Sequence, residues 1–386
     1  MPGLLDGITV VDLSSVGPAS RASRWLADFG AEVVKVGPIP SAGDVVLDAP
    51  EHAYAAQRGL RRILLDLKSP GGSAVMRQLV GEVDVLLESF RPGVMARLGL
   101  EYASVRDLNP RIVYCSTSGY GADGPWAAWA GHDLNYVAAS GLLSATGRGP
   151  DGRPPVLGAT IADAAGGGLH AVASILAALV ARSLTGEGRH LDVSILDGMV
   201  ALMALPIDQY LATGEVTGPA SSLLTGRYAC YGVYRCADDR WLSVAAIEPR
   251  FWANLCRALG CDRWIGAQLD DDVRAEVRGD LERAFLTRAR DDWVRTLAPA
   301  DTCVAPVQSI DEVGASEHLR ARRTFVTAES PGTGRVEQVG PCLAGMQPAD
   351  EVYELPGGRI DTDDVLSELG LTAQEIDQLR TEGSIA

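Results

Sequence analysis

Short β-branched runs alternate with helical spacing along the first half of the chain. Ile8 to Leu13 (ITVVDL) predicts a strand, Gly17-Pro18 a turn, and Ala19 to Phe29 a helix that Gly30 stops. Ala31 to Val36 (AEVVKV) and Arg61 to Leu67 (RRILLDL) predict two further strands. Ser69 stands as an N-cap with Pro70 in the first helical position, so a helix runs from there to about Val80. Asp84 to Glu88, Arg91 to Leu98 and Arg111 to Thr117 continue the alternation. Strands alternating with helices imply a parallel sheet covered on both faces, hence an α/β domain.

Beyond it, Ala162 to Arg182 reads as one long apolar helix. Its run Gly166 to Gly168 costs roughly 0.5–1 kcal/mol of helix stability per glycine relative to alanine. Close approach of a ligand or of another backbone would account for the three glycines, and so would packing against a neighbouring helix. Arg189 to Ile195 predicts a strand and Leu196 to Thr213 a helix containing Pro206. Gly214 to Arg227, rich in Gly, Ser and Thr, reads as a linker. Tyr228 to Tyr234 and Trp241 to Ala246 then form a hairpin that opens a smaller α+β domain. Helices follow at Glu248 to Leu259, Asp272 to Thr287 and Asp291 to Leu297, with a short strand near Cys303 to Val307. From about Ala315 the chain is linker-like again, and Thr372 to Thr381 gives a last amphipathic helix.

A length of 386 residues exceeds what one core usually serves, which agrees with two domains. No basic segment precedes an apolar run at the N-terminus, and no stretch reaches the roughly 18 apolar residues of a membrane span, so a cytoplasmic protein without membrane association is expected. Seven cysteines without a C-x-x-C, and five histidines never at ligand spacing, suggest neither a disulfide framework nor a metal centre. A net charge of -16 argues against nucleic acid as a partner. Locally the picture differs: Arg58, Arg61, Arg62, Lys68, Arg91 and Arg97 gather in the N-terminal half. Such a cluster suits a small polyanion such as a nucleotide phosphate, or else a solvated face.

The sequence GYGADG (Gly119, Gly121, Gly124) matches a dinucleotide fingerprint literally but follows the fifth strand instead of the first, so it is expected to be only a turn at the sheet's carboxyl edge. The chemistry lies just after it. His132 and Asp163 stand 31 positions apart, too far to share a helical turn, and if they meet they meet across a cleft. Two acid/base groups facing each other there would move a proton from one side of a carbon to the other. Taken alone, a histidine and an aspartate in loops are most often a hydrogen-bonded imidazole and a helix cap.

Several longer motifs decide between these. GITVVDL with Gly17-Pro18, LLDLKSP, ESFRPGVMARLGL, the GYG turn, GHDLNY, the IAD–GGG segment and AIEPRFW occur in order over nearly the whole length. With them the chain resembles the class III CoA-transferase superfamily (CaiB/BaiF type), and within it the α-methylacyl-CoA racemase branch. The resemblance implies that His132 and Asp163 are the acid/base pair and that Glu248 supports them from the small domain. It implies that Leu65, Asp66, Leu67, Lys68, Ser89, Phe90, Arg91 and Arg97 border the CoA moiety. Gly131, Asp133, Leu134, Asn135 and Tyr136 would touch the pantetheine and thioester. An arginine that relatives carry after the second strand is replaced here by Gly37-Pro38, which leaves Lys35 or Arg58 to grip that CoA phosphate.

The implied fold is a Rossmann-like parallel-sheet large domain over 1–213, with 326–386 returning to it. A small α+β domain over 228–307 lies between linkers at 214–227 and 308–325, and two chains interlock as a homodimer. The implied reaction is racemisation of a 2-methylacyl-CoA thioester through an enolate, with no cofactor beyond the CoA of the substrate. Backbone N–H groups at the start of the Asp163 helix are candidate donors to the enolate oxygen. The alternative is a CoA-transferase in which Asp163 forms an acyl anhydride. His132 favours the racemase, because the transferases usually have another residue there. A non-catalytic acyl-CoA-binding protein is the reading from a different class, and a serine hydrolase is disfavoured because no G-x-S-x-G occurs. Leu142, Leu143 and Leu205 are candidates for the acyl pocket or for a core.

Overall fold

A computed structural model describes residues 3–14, 17–40, 57–330, 334–346 and 352–386. The described residues fall into two units, one made of the N-terminal part with 157–203 and 317–386, the other of 141–156 with 204–316. The first unit thus ends at Met203 and resumes at Glu317. Residues 204–213 and 308–316, expected in the large domain and in a linker, belong to the second unit.

The first unit is built on six parallel strands: β1 (Thr9–Asp12), β2 (Glu32–Gly37), β3 (Arg61–Leu64), β4 (Val85–Glu88), β5 (Val113–Ser118) and β6 (Arg189–Ser194), in spatial order 3-2-1-4-5-6. That order reverses between β1 and β4, and the crevice outside their carboxyl ends is where open α/β sheets bind ligands. Apolar runs such as Val85 to Leu87 are buried on both faces, as parallel strands require. One face is covered by α1 (Pro18–Asp28), the other by α2 (Pro70–Glu82), α3 (Val94–Arg97) and α4 (Tyr102–Leu108). The helix expected over Arg91 to Leu98 is α3, which ends before Gly99 at a positive φ; α4 beyond it was not foreseen from the sequence. Ser69 caps α2 by accepting the Gly72 N–H at 3.0 Å, as its pairing with Pro70 predicted.

After α5 (Asp133–Ala139), and α6 (Leu142–Ala145) of the second unit, the long apolar helix begins with π-helical turns over Ala162–Leu169 and continues as α7 (His170–Thr185). Ala162–Thr185 is long and apolar enough, by length and composition, to cross a membrane, contrary to the sequence expectation. Ala171, Val172, Ile175 and Ala178 nevertheless sit in the core under the sheet. The helix expected over Leu196 to Thr213 is two, α8 (Ile195–Leu202) and α9 (Ala204–Thr213). Pro206 has no N–H to give to Leu202, so a continuous helix would lose a bond there.

The second unit pairs β7 (Tyr231–Arg235), β8 (Trp241–Ala245) and β9 (Val304–Pro306) antiparallel. α10 (Pro249–Leu259), α11 (Arg274–Phe285) and α12 (Arg290–Leu297) pack on them around Trp252, Phe285 and Trp293. α13 (Ile310–Ala315) precedes the return to the first unit, which is not linker-like. It contains α14 (Glu317–Ala321), a small sheet of β10 (Phe325–Ser330), β11 (Gly334–Val339) and β12 (Val352–Glu354), then α15 (Thr362–Glu368) and α16 (Ala373–Thr381). This segment closes the edge of β3: Asp361 accepts the Arg62 N–H at 2.8 Å, Thr362 accepts that of Leu64 at 3.2 Å, and Leu65 pairs with Ile385.

Candidate active site

Asp163 occupies the first π-helical turn, the kind of local irregularity that recurs at functional sites. Its backbone N–H donates to Asp133 Oδ1 at 2.9 Å. Asp133 immediately follows His132, the N-cap of α5, whose own N–H donates to Asn135 Oδ1 at 3.0 Å. The start of α5 and the start of the π-helical segment are thereby tied together, close enough for His132 to act electrostatically on Asp163. The candidate oxyanion donor at Asp163 is already committed to Asp133.

The glycines around this site are explained by packing. A Cβ on Gly167 would lie 2.5 Å from Pro18 Cβ, one on Gly168 2.9 Å from Trp25, and one on Gly166 2.9 Å from the Ile195 carbonyl oxygen. Of the two accounts of Gly166 to Gly168, close approach to neighbouring helices is the one observed. Gly131 makes room for Tyr136 and Tyr120 in the same way. Tyr120 and Tyr136 stand edge-on, and beyond Tyr120 the stacked Trp126 and Trp129 continue an aromatic cluster. The GYGADG stretch is irregular, as expected of a turn.

Burial raises the Asp163 carboxyl above the ordinary aspartate range; Arg21 pulls it back, Asp133 pushes it further up, and His132 pulls it down. The Arg21 guanidinium lies 3.5 Å from Asp163 Oδ2 and donates to Thr160 Oγ1 at 2.8 Å. Arg21 is a site residue that sequence reasoning missed. It sits on the first turn of α1, and no motif or spacing links it to a carboxylate so far downstream. Tyr136 is pushed up to about 12, first by burial and then by the neighbouring Tyr120 and Asp163, so its hydroxyl stays protonated at neutral pH.

The residues expected around CoA divide into two groups. Ser89, Phe90 and Arg91 follow β4 at the switch point, with Arg97 on α3; the Phe90 N–H donates to Glu88 Oε2 at 2.7 Å. Arg91, Arg97 and Lys68 are exposed and form no ion pair among the described residues. Leu65 is instead a core side chain and Leu67 packs partly buried against the same core, leaving Asp66 half-buried and Lys68 exposed. Neither proposed substitute for the missing arginine is available. Lys35 is buried on Asp12 at 2.9 Å, and Arg58 is buried on Asp28, Gln338 and the Val339 carbonyl, under the Tyr353 ring. Leu134 and Asn135 are exposed beside His132. Glu248 is exposed at the N-cap of α10 in the second unit and makes no side-chain cap hydrogen bond.

The parallel sheet of order 3-2-1-4-5-6 thus carries two titratable side chains, His132 and Asp163, on segments tied together through Asp133. The chain belongs to CoA-transferase family III, whose model matches residues 5–354. It is 34% identical to the human α-methylacyl-CoA racemase over 383 residues, 98% of this chain and 96% of that one. It is likewise 34% identical to the succinate–glutarate CoA-transferase of Agrobacterium fabrum over 352 residues, covering 84% and 85%. Among solved structures, a CaiB/BaiF family protein from Brucella suis superposes with a TM-score of 0.78 at 27% identity, over 96% of this chain and all of the other.

Proposed function

We propose that the protein interconverts the 2R and 2S epimers of a 2-methylacyl-CoA thioester. The observation that carries this reading is the Asp133 bridge, which ties the backbone of Asp163 to the residue that follows His132. The α-hydrogen of a thioester is weakly acidic. One group removes it from one face while the other returns a proton to the opposite face, with an enolate between the two steps. On the family resemblance His132 serves the 2S face and Asp163 the 2R face, Glu248 supports the imidazole, and Arg91, Arg97 and Lys68 meet the CoA phosphates. No resident cofactor is required.

We further propose a homodimer. α9 buries none of its residues, although Leu205, Tyr210 and Leu211 are apolar and exposed, and Val180, Leu184 and Leu202 are exposed on α7 and α8. Exposed apolar surface of this kind is what a second copy would cover.

The test is incubation of a panel of 2-methylacyl-CoA epimers in D₂O, with α-deuterium read in each recovered epimer at low conversion. The native enzyme deuterates and inverts both. His132→Ala should lose inversion by roughly 10²–10⁴-fold yet still exchange the 2R ester, and Asp163→Asn should show the reverse bias. Equal loss from both epimers in both variants would sink the two-base reading. A second reading, a CoA-transferase, is favoured by the Arg21–Asp163 pair, since an ionised carboxylate is also a nucleophile. It requires an acyl-enzyme that hydroxylamine traps, with no α-deuteration.

A further inference from the structure

We propose that Arg21 is a positioning residue that holds Asp163 aligned and ionised in the resting site. The inference rests on the acid/base role proposed for Asp163 and goes beyond it, to a residue outside every motif by which the site was read. The guanidinium spans two points of one segment: Nη2 donates to Thr160 Oγ1 at 2.8 Å while Nη1 stands 3.5 Å from Asp163 Oδ2. Packing fixes this geometry, because the Pro18 ring and carbonyl of α1 press directly on Gly167 and Gly168 of the π-helical segment. The two side chains are only 15% and 21% exposed, so solvent screens the pair far less than a surface ion pair.

The remaining groups around Asp163 divide against each other. From α5, Asp133 opposes ionisation, His132 favours it, and Tyr136 stays protonated; from α8, the segment meets the Ile195 carbonyl oxygen and side chain and the Met199 side chain, none of which titrates. Burial opposes ionisation most, and Arg21 is the largest influence in its favour. For a site that carries one proton between Asp163 and His132, Arg21 therefore selects where it rests. With Arg21 in place Asp163 is the carboxylate, ready to accept a proton. Asp163 takes the α-hydrogen of the 2R ester and His132 gives its proton to the other face. The site is left with protonated Asp163 and neutral His132, the state that reacts with the 2S ester. Without Arg21 the resting proton moves to Asp163.

The experiment compares the native enzyme with Arg21→Gln, Arg21→Lys and Thr160→Val. The Asp163 carboxylate is titrated by infrared difference spectroscopy, its band identified by its loss in Asp163→Asn. Initial α-deuteration of each epimer is measured across pH. In Arg21→Gln the titration should move to higher pH, and 2R exchange on the acid side should fall roughly tenfold or more with KM for the ester unchanged. Exchange of the 2S ester should fall less. Arg21→Lys should restore most of the shift, and Thr160→Val, which removes the brace alone, should move the titration the same way but less. An unmoved Asp163 titration in both Arg21→Gln and Thr160→Val overturns the proposal. A moved titration without any bias between epimers upholds the hold on Asp163 and overturns instead its assignment as the 2R-side base.

Discussion

Glu88 shows at the scale of one residue how this fold places charge where it is costly. Its side chain is buried at the end of β4, accepting the Phe90 N–H at 2.7 Å. Burial raises its carboxyl above the ordinary range; the Ser116 hydroxyl and the Phe90 N–H lower it in part, and the nearby Asp192 raises it. The folded protein therefore binds a proton more readily than the unfolded chain does. Its stability falls as pH rises from the ordinary carboxylate pKa through the raised one, and stays at the lower level above that. Glu88→Gln keeps an acceptor for Phe90 without the buried charge. Its Tm should exceed that of the native protein at neutral pH, and the difference should shrink to nothing as pH falls below the ordinary carboxylate range. A pH-independent difference across that series of melts would show that Glu88 is not a charged group held against its solvation.

The π-helical segment is the element on which the site depends, and its glycines make a prediction with an internal control. A Cβ on Gly198 of α8 would overlap the Gly166 carbonyl oxygen, a backbone atom that no rotamer change can move aside. Gly198→Ala should cost about 1–3 kcal/mol, read as a lower urea midpoint. It should also slow α-deuteration, because Asp163 moves with the segment. Gly81, inside α2, has nothing within 4 Å of its Cβ position, so Gly81→Ala should stabilise by about 0.5–1 kcal/mol and leave exchange untouched. Equal effects of the two substitutions would mean that α8 and the π-helical segment are not in the close contact described.

For the molecule as a whole, His132 and Glu248 lie in different units, and α9 leaves an apolar surface uncovered. If each site draws its large-domain residues from one chain and its small-domain residues from the other, two separately inactive chains complement each other. Equal amounts of His132→Ala and Glu248→Ala, allowed to exchange subunits, should recover about a quarter of native activity, since half of the dimers are mixed and each mixed dimer has one intact site. No recovery despite exchange seen by native mass spectrometry would place the whole site within a single chain.

The sequence by itself determined what depends on local order. The β-branched runs, Ser69-Pro70 and the ordered motifs were enough for the parallel strands, the capped helix and the family. Tertiary structure decided what depends on residues distant in the chain coming close. Periodicity could not tell a π-helical turn from an α-helical one at Asp163, because both are apolar on the same side. It read the chain from about Ala315 up to the last helix as linker-like, because the short strands of β10 to β12 and the start of α15, whose Asp361 and Thr362 close the edge of β3, carry little apolar pattern of their own. Charge counting made Lys35 and Arg58 free to bind phosphate, whereas burial commits both to internal carboxylates. Arg21 carried no signal at all, since an ion pair between the first turn of α1 and Asp163 exists only once the helices have packed.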